Sequence, residues 1–174
     1  PFLHGTYLLA GASLCGGKAY ALLEKFFREF VKEATGQEKP LYKTLEKLAG
    51  DGKASCTGRE NRKKLQIETT FDGTRVHPEQ TGSITNLSTD NFTPAAFVYG
   101  TLEGMSRELY QMYQTIQNGT GMQIKRMIGS GNGLRKNPVL CEIVEEMFGA
   151  KLVLAECEEE AATGAALSSI QQDE

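Results

Sequence analysis

Met127-Ile128-Gly129-Ser130-Gly131-Asn132-Gly133-Leu134-Arg135-Lys136-Asn137-Pro138 is the stretch whose reading decides the fold. An apolar run stops in three alternating glycines, Gly129, Gly131 and Gly133, and the sequence then feeds a helix. A strand that ends this way leaves a surface without side chains and backbone N–H groups on which a flat or phosphorylated ligand can lie. The pattern points to a nucleotide. It is also compatible with an ordinary tight turn, and Asn137 can either cap the next helix or offer its amide to a base edge.

Outward from this turn, strands and helices alternate. Downstream, the spacing predicts a helix over Pro138 to Phe148, a strand at Leu152 to Leu154 and a helix of small residues from Glu159 to Ile170. Upstream, Ile124 to Ile128 reads as the strand, and a long helix begins with Thr93 as N-cap and Pro94 in its first turn. Phe97, Leu102, Met105, Leu109 and Met112 supply its apolar face. Before it lies a loop rich in Gly, Thr, Ser, Asn and Pro, with a short strand at Ser83 to Thr85. Leu65 to Phe71 alternates as a strand does, and Asp72-Gly73 closes it with a turn. A helix over Leu41 to Leu48 is expected to stop at Gly50-Asp51-Gly52. At the start, Tyr7 to Gly11 reads as a buried strand, followed by a turn holding Gly16-Gly17. An amphipathic helix comes next, with Leu22, Leu23, Phe26, Phe27, Phe30 and Val31 on one face. The alternation makes this an α/β layered domain. The Gly16-Gly17 turn, also between strand and helix, serves either a tight turn or a second set of phosphate-facing amides.

Composition narrows the classes. At 174 residues, 40% hydrophobic and 24% charged, the chain fits a single domain with an adequate core. A net charge of -3 argues against a general nucleic-acid surface. The one basic cluster, Arg59, Arg62, Lys63 and Lys64, reads as a solvated loop. Cys15, Cys56, Cys141 and Cys157 form no CxxC pair, so no metal framework is expected. The chain has no run of 18 apolar residues and no signal-peptide pattern, so the expectation is a cytoplasmic protein without a membrane partner. An opening at Pro1, directly into a strand, suggests a fragment or a processed product. The acidic run Glu156, Glu158, Glu159 and Glu160 is expected to favour the positive end of the last helix.

A dinucleotide fingerprint is the nearest competitor, because a strand, glycines, a helix, a second strand and the acid Glu156 occur in order. The spacing is GxGxG rather than GxGxxG, and Leu134 stands where a glycine belongs. The wording fits another pattern better. Gly129-Ser130-Gly131-Asn132-Gly133, Asn137-Pro138, Phe148-Gly149 and Glu159-Glu160-Ala161-Ala162-Thr163-Gly164-Ala165-Ala166 resemble the adenosine-binding end of the FGGY carbohydrate kinases. Gly73-Thr74-Arg75, Pro78, Gly82-Ser83-Ile84 and Glu103-Gly104 follow the same family's order, so the resemblance covers nearly the whole chain.

The resemblance implies an actin-like ATPase (ribonuclease H-like) fold with a mixed sheet flanked by helices. Residues 1–174 would be most of the C-terminal, nucleotide-binding domain of a two-domain kinase, whose N-terminal sugar-binding domain lies elsewhere. Such kinases move the γ-phosphoryl of MgATP to a sugar hydroxyl, here of a ketose such as sedoheptulose, of xylulose or ribulose, or of a polyol. It further implies Gly17 near the ATP phosphates, Gly133 near the nucleotide and Asn137 at the adenine, beside Gly129 and Gly131, which the glycine turn itself offers to the nucleotide. Ala21 departs from the pattern, since some members carry a phosphate-contacting Gln there. The adenosine turn is also longer than usual, so Gly131 and Gly133 can exchange roles. The family's base belongs to a Gly-Asp-Gln segment, whereas Asp51, Asp72, Asp90 and Asp173 stand in other contexts. The base, the sugar pocket and the carboxylates that organise Mg2+ are thus expected outside this chain, and the chain alone should turn over nothing. The partners implied are ATP, a sugar and the kinase's own N-terminal domain, with a homo-oligomer open.

Overall fold

The structure, a computed structural model, describes residues 7–56, 64–157 and 159–170. His4 and the basic residues Arg59, Arg62 and Lys63 lie outside the described residues, as do Glu158 and Asp173. The chain forms two compact units, residues 1–123 and 124–174.

The first unit is built on helix α3, Pro94–Thr120. Its start is the one the sequence predicts: the Thr93 hydroxyl accepts from the Ala96 N–H, and Pro94 occupies the first turn. Helix α1 spans Gly16–Thr35 and helix α2 spans Tyr42–Cys56. A two-stranded antiparallel ladder, β1 Gln66–Glu68 and β2 Ser83–Thr85, pairs Ile67 with Ile84. Leu65, Ile67 and Ala96 are buried together with Phe97 packed on them, and Leu45, Val98 and Leu102 are fully enclosed. These residues join α2, α3 and β1 into the core.

Four expectations change in this unit. Tyr7 to Gly11 forms no strand; Tyr7 is 81% exposed, and no strand lies beside it among the described residues to pair its backbone. Helix α2 does not stop at Gly50 but continues to Cys56. Gly52 explains this, because a Cβ there would stand 2.4 Å from the Ala95 carbonyl oxygen and 2.7 Å from Tyr99 Cβ. The glycine is a contact point with α3, and close packing overrides its low helix propensity. The strand expected over Leu65 to Phe71 shrinks to Gln66–Glu68, since the Thr69 and Thr70 carbonyls turn back to accept from Phe71 and Gly73. Helix α1, finally, buries Ala19 and Glu24, while Phe26 and Phe30 on its apolar face stay exposed. Leu22, Leu23 and Phe26 border an open apolar groove shared with Ile67, Phe71, Ile84 and Phe97.

The second unit is a small parallel βαβ arrangement. Strand β3, Met127–Gly129, pairs with β4, Leu152–Leu154, with Gly129 opposite Leu154. Between them run α4, Asn132–Arg135, and α5, Pro138–Phe148. A final helix α6 spans Glu160–Ile170. Helix α5 and strand β4 fall where the spacing put them. Strand β3 is shorter than expected and ends in the first glycine of the turn. Among the described residues, no helix is long and apolar enough to cross a membrane.

Candidate functional site

The glycine turn is built differently at each glycine. Gly129 is buried, and a Cβ there would meet Leu134 Cδ1 at 2.8 Å and Leu152 Cδ1 at 3.0 Å. Its missing side chain lets Leu134 fold down onto the strand end. Gly131 has φ +88, a backbone that L side chains rarely adopt, with nothing within 4 Å of its Cβ position. Gly133 likewise faces open space. The turn therefore has one packed glycine and two open ones.

The long helix starts at Pro138, as expected, and a single helical turn that the spacing did not signal, α4 with 4 residues, stands between it and the glycines. A single turn sums few peptide dipoles, so little anion attraction is available at Gly129 to Gly133. The dinucleotide reading loses its physical basis at the same place, since a pyrophosphate needs the N-terminus of a full helix.

Asn137 takes the capping role. Its Oδ1 accepts from the Leu140 N–H at 3.1 Å, and the residue is buried at the head of α5 with Pro138 behind it. Capping occupies the oxygen, and the amide group as a whole still carries two N–H donors.

No local motif signals the contacts that hold this turn from outside. The Arg135 guanidinium donates to the Cys157 carbonyl and to the Glu160 carboxylate, joining α4 to the start of α6. The same Glu160 oxygen accepts from the Gly131 N–H at 3.3 Å. The bond from Arg135 holds the Glu160 carboxyl below the usual carboxylate range, helped by backbone donors. Glu160 stands in the first turn of α6, as expected for an acid at the positive end of a helix, and its carboxylate also meets the amide in the middle of the glycine turn. The pair is 25 residues apart, and no spacing rule links them.

Gly17 belongs to the first unit, in the opening turn of α1, where a Cβ would meet nothing within 4 Å. The turn before it is tied by Ser13, whose hydroxyl accepts from the Gly16 and Cys15 N–H groups. Lys18, the next residue, pairs with Asp72 at 2.7 Å, joining α1 to the Asp72-Gly73 turn. Asp72 is the main reason the Lys18 ammonium titrates above its ordinary value. Cys15 is buried between these groups, and burial pushes its thiol up. Among the described residues no group of three His, Cys, Asp or Glu side chains is placed to hold a metal ion.

Comparison with known proteins bears on the whole chain. Residues 3–170 match the model of the FGGY family of carbohydrate kinases, C-terminal domain. Mouse sedoheptulokinase is 26% identical over 99% of this chain, which covers 35% of that protein. The chain spans about a third of the length of the curated relatives it matches. Among solved structures, xylulose kinase from Bifidobacterium adolescentis superposes with a TM-score of 0.62 at 19% identity, over 87% of this chain and 26% of that one. Plasmodium falciparum glycerol kinase, solved with ADP, gives a TM-score of 0.55 at 19% identity, over 72% of this chain and 25% of that one. The chain shares their actin-like ATPase fold, in keeping with the α/β architecture read from the glycine turn outward, and it belongs to the FGGY family of carbohydrate kinases as a C-terminal domain of that family.

Proposed function

We propose that this chain is most of the nucleotide-binding domain of a two-domain carbohydrate kinase that transfers the γ-phosphoryl group of ATP to a hydroxyl of a ketose. The observation that carries the reading is the turn from Gly129 to Asn137, with two open glycines, a packed one and a buried amide, in a chain matched by the family along 3–170. Gly131 and Gly133 offer a flat floor for adenosine, and Gly129 packs against Leu134 and Leu152. Asn137 offers amide donors to the adenine ring while its oxygen caps α5. Gly17, open in the first turn of α1, lies at the phosphates in this reading. Mg2+ would enter with the phosphates, balancing their charge. Its carboxylate ligands, the base and the sugar pocket belong to sequence outside this chain, because Asp72 is already paired with Lys18 and no acidic cluster stands near either glycine turn among the described residues. Sedoheptulose is the first substrate to test, from the likeness to sedoheptulokinase, with xylulose, ribulose and polyols after it. A cytoplasmic setting fits ATP as the phosphoryl donor.

The test is a coupled ATP-consumption assay of the complete protein against a panel of ketoses and polyols, with Asn137→Asp and Asn137→Ala alongside. Asp keeps a capping oxygen and loses the amide donors, so both variants should raise the KM for ATP about tenfold. Only Ala should also lose cap stability, about 1 kcal/mol. An unchanged ATP KM in Asn137→Asp would remove the adenine assignment. No sugar-dependent ATP consumption by the parent would remove the kinase reading.

A further inference from the structure

The approach to α1 is held by a partly buried hydrogen-bonded pair from distant parts of the chain. Ser13 Oγ donates to Glu108 Oε2 at 2.8 Å, across 95 residues. The same oxygen accepts from the Gly16 N–H at 2.8 Å and from the Cys15 N–H at 3.2 Å. One turn further along α3, Gly11 rests on Met112, where a Cβ would stand 2.8 Å from Met112 Cβ. Two contacts therefore lay residues 11–13 along α3 just before α1 begins.

The direction of the Ser13 proton decides what the turn presents. An ionised carboxylate only accepts, so Glu108 fixes the Ser13 hydroxyl as a donor toward α3 and leaves both lone pairs for the two backbone N–H groups. The amides of Cys15 and Gly16 are then consumed, and Gly16 is kept at φ +20. Gly17 follows them in the first turn of α1, with open space at its Cβ position. Glu108 is 7% exposed, and burying a carboxylate has a desolvation cost that an apolar side chain at this place would avoid. Stability alone is a poor reason for this residue, whereas fixing a hydroxyl's orientation is a specific one.

We infer that Ser13 and Glu108 are a positioning pair that sets the Cys15-Gly16-Gly17 turn for the phosphates of ATP, an inference that rests on the ATP-binding reading above. Neither residue touches the nucleotide; both act through the turn.

The experiment uses the complete protein, measuring the KM for ATP and for the sugar separately, together with Tm, in Ser13→Ala, Glu108→Gln, the double variant and Ser13→Thr. Glutamine can donate to Ser13 and so frees the hydroxyl from its fixed direction. Ser13→Ala and Glu108→Gln should each raise the ATP KM about fivefold to tenfold, the size of one ordinary hydrogen bond, with the sugar KM within twofold. The double variant should be no worse than the worse single one, because the residues act as a unit. Ser13→Thr, which keeps the hydroxyl, should restore the ATP KM. A fall in Tm with an unchanged ATP KM, or additive effects in the double variant, overturns the pair as a positioning device. If the parent binds no ATP by calorimetry, the ATP-binding reading fails and takes this inference with it.

Discussion

Gly100 and Gly104 lie one turn apart on the face of α3 that covers β1, and the same substitution should have opposite effects at the two. At Gly104 a Cβ would stand 2.1 Å from the Ile67 carbonyl oxygen and 3.1 Å from Thr69 Cγ2. At Gly100 the nearest atoms are Ile67 Cδ1 and Cγ1, both at 3.4 Å. Alanine at either place gains about 1 kcal/mol of helix propensity over glycine. At Gly100 the new methyl meets flexible ends of one side chain at near-ordinary contact, so most of that gain survives. At Gly104 the obstacle is backbone, which no rotamer change can move aside. Restoring an ordinary contact needs a displacement of about 1.2 Å between helix and strand. Overpacking of this kind costs about 1–3 kcal/mol. It also opens the contact of Leu65 and Ile67 with Ala96, so the net loss at Gly104 is about 1–2 kcal/mol after the propensity gain. For a chain of this size each kcal/mol moves Tm by about 2–4 °C. Gly104→Ala should therefore melt roughly 2–8 °C below the parent and Gly100→Ala about 2–4 °C above it. Thermal melts followed by circular dichroism, with urea midpoints as a second measure, give both numbers. A Gly104→Ala protein as stable as the parent, or shifts of the same sign at both positions, would refute the close-approach argument.

Two further outcomes follow from charge and burial, beside the Asn137 and Ser13–Glu108 experiments above. Glu160 has a folded pKa below its unfolded value, so its contribution to stability is present above the ordinary carboxylate pKa and is lost as pH falls through the lower folded one; carboxyl NMR titration of Arg135→Ala should show Glu160 back near its ordinary value, and an unmoved midpoint would mean Arg135 is not its main partner. Cys157 is exposed, whereas Cys15 is buried with a raised thiol pKa; under a limiting thiol reagent, mass spectrometry should find Cys157 modified well before Cys15, and equal rates would contradict the packing around the α1 turn.

What the sequence revealed depended on how local each cause was. The starts of α3 and α5 were legible because Thr93-Pro94 and Asn137-Pro138 carry their capping chemistry within three residues. The end of α2 was not, because Gly52 is read as a breaker until Ala95 and Tyr99 are seen against it. Tyr7 to Gly11 has strand composition, yet a strand needs a neighbouring strand, and Gly11 lies against a side chain of α3, Met112. The same division runs through the candidate site. The glycine turn and the Asn137 cap were legible as local motifs. The different footing of the three glycines was not, since it depends on Leu134 and Leu152 for one and on backbone φ for another. Nor were the Arg135–Glu160 and Ser13–Glu108 contacts, which join residues that only the fold brings near.

The carboxylate of Glu160 at the Gly131 amide has one more consequence. A turn whose central N–H is already bonded to an Arg135-paired carboxylate has no free donor there for a phosphate, which suits the uncharged end of a nucleotide better. ATP is a polar rod, neutral at one end and highly charged at the other, and a seat that rejects one end fixes the direction in which the rod lies. On the ATP reading, Glu160 orients the ligand by withholding that donor from the phosphates and needs no contact with it.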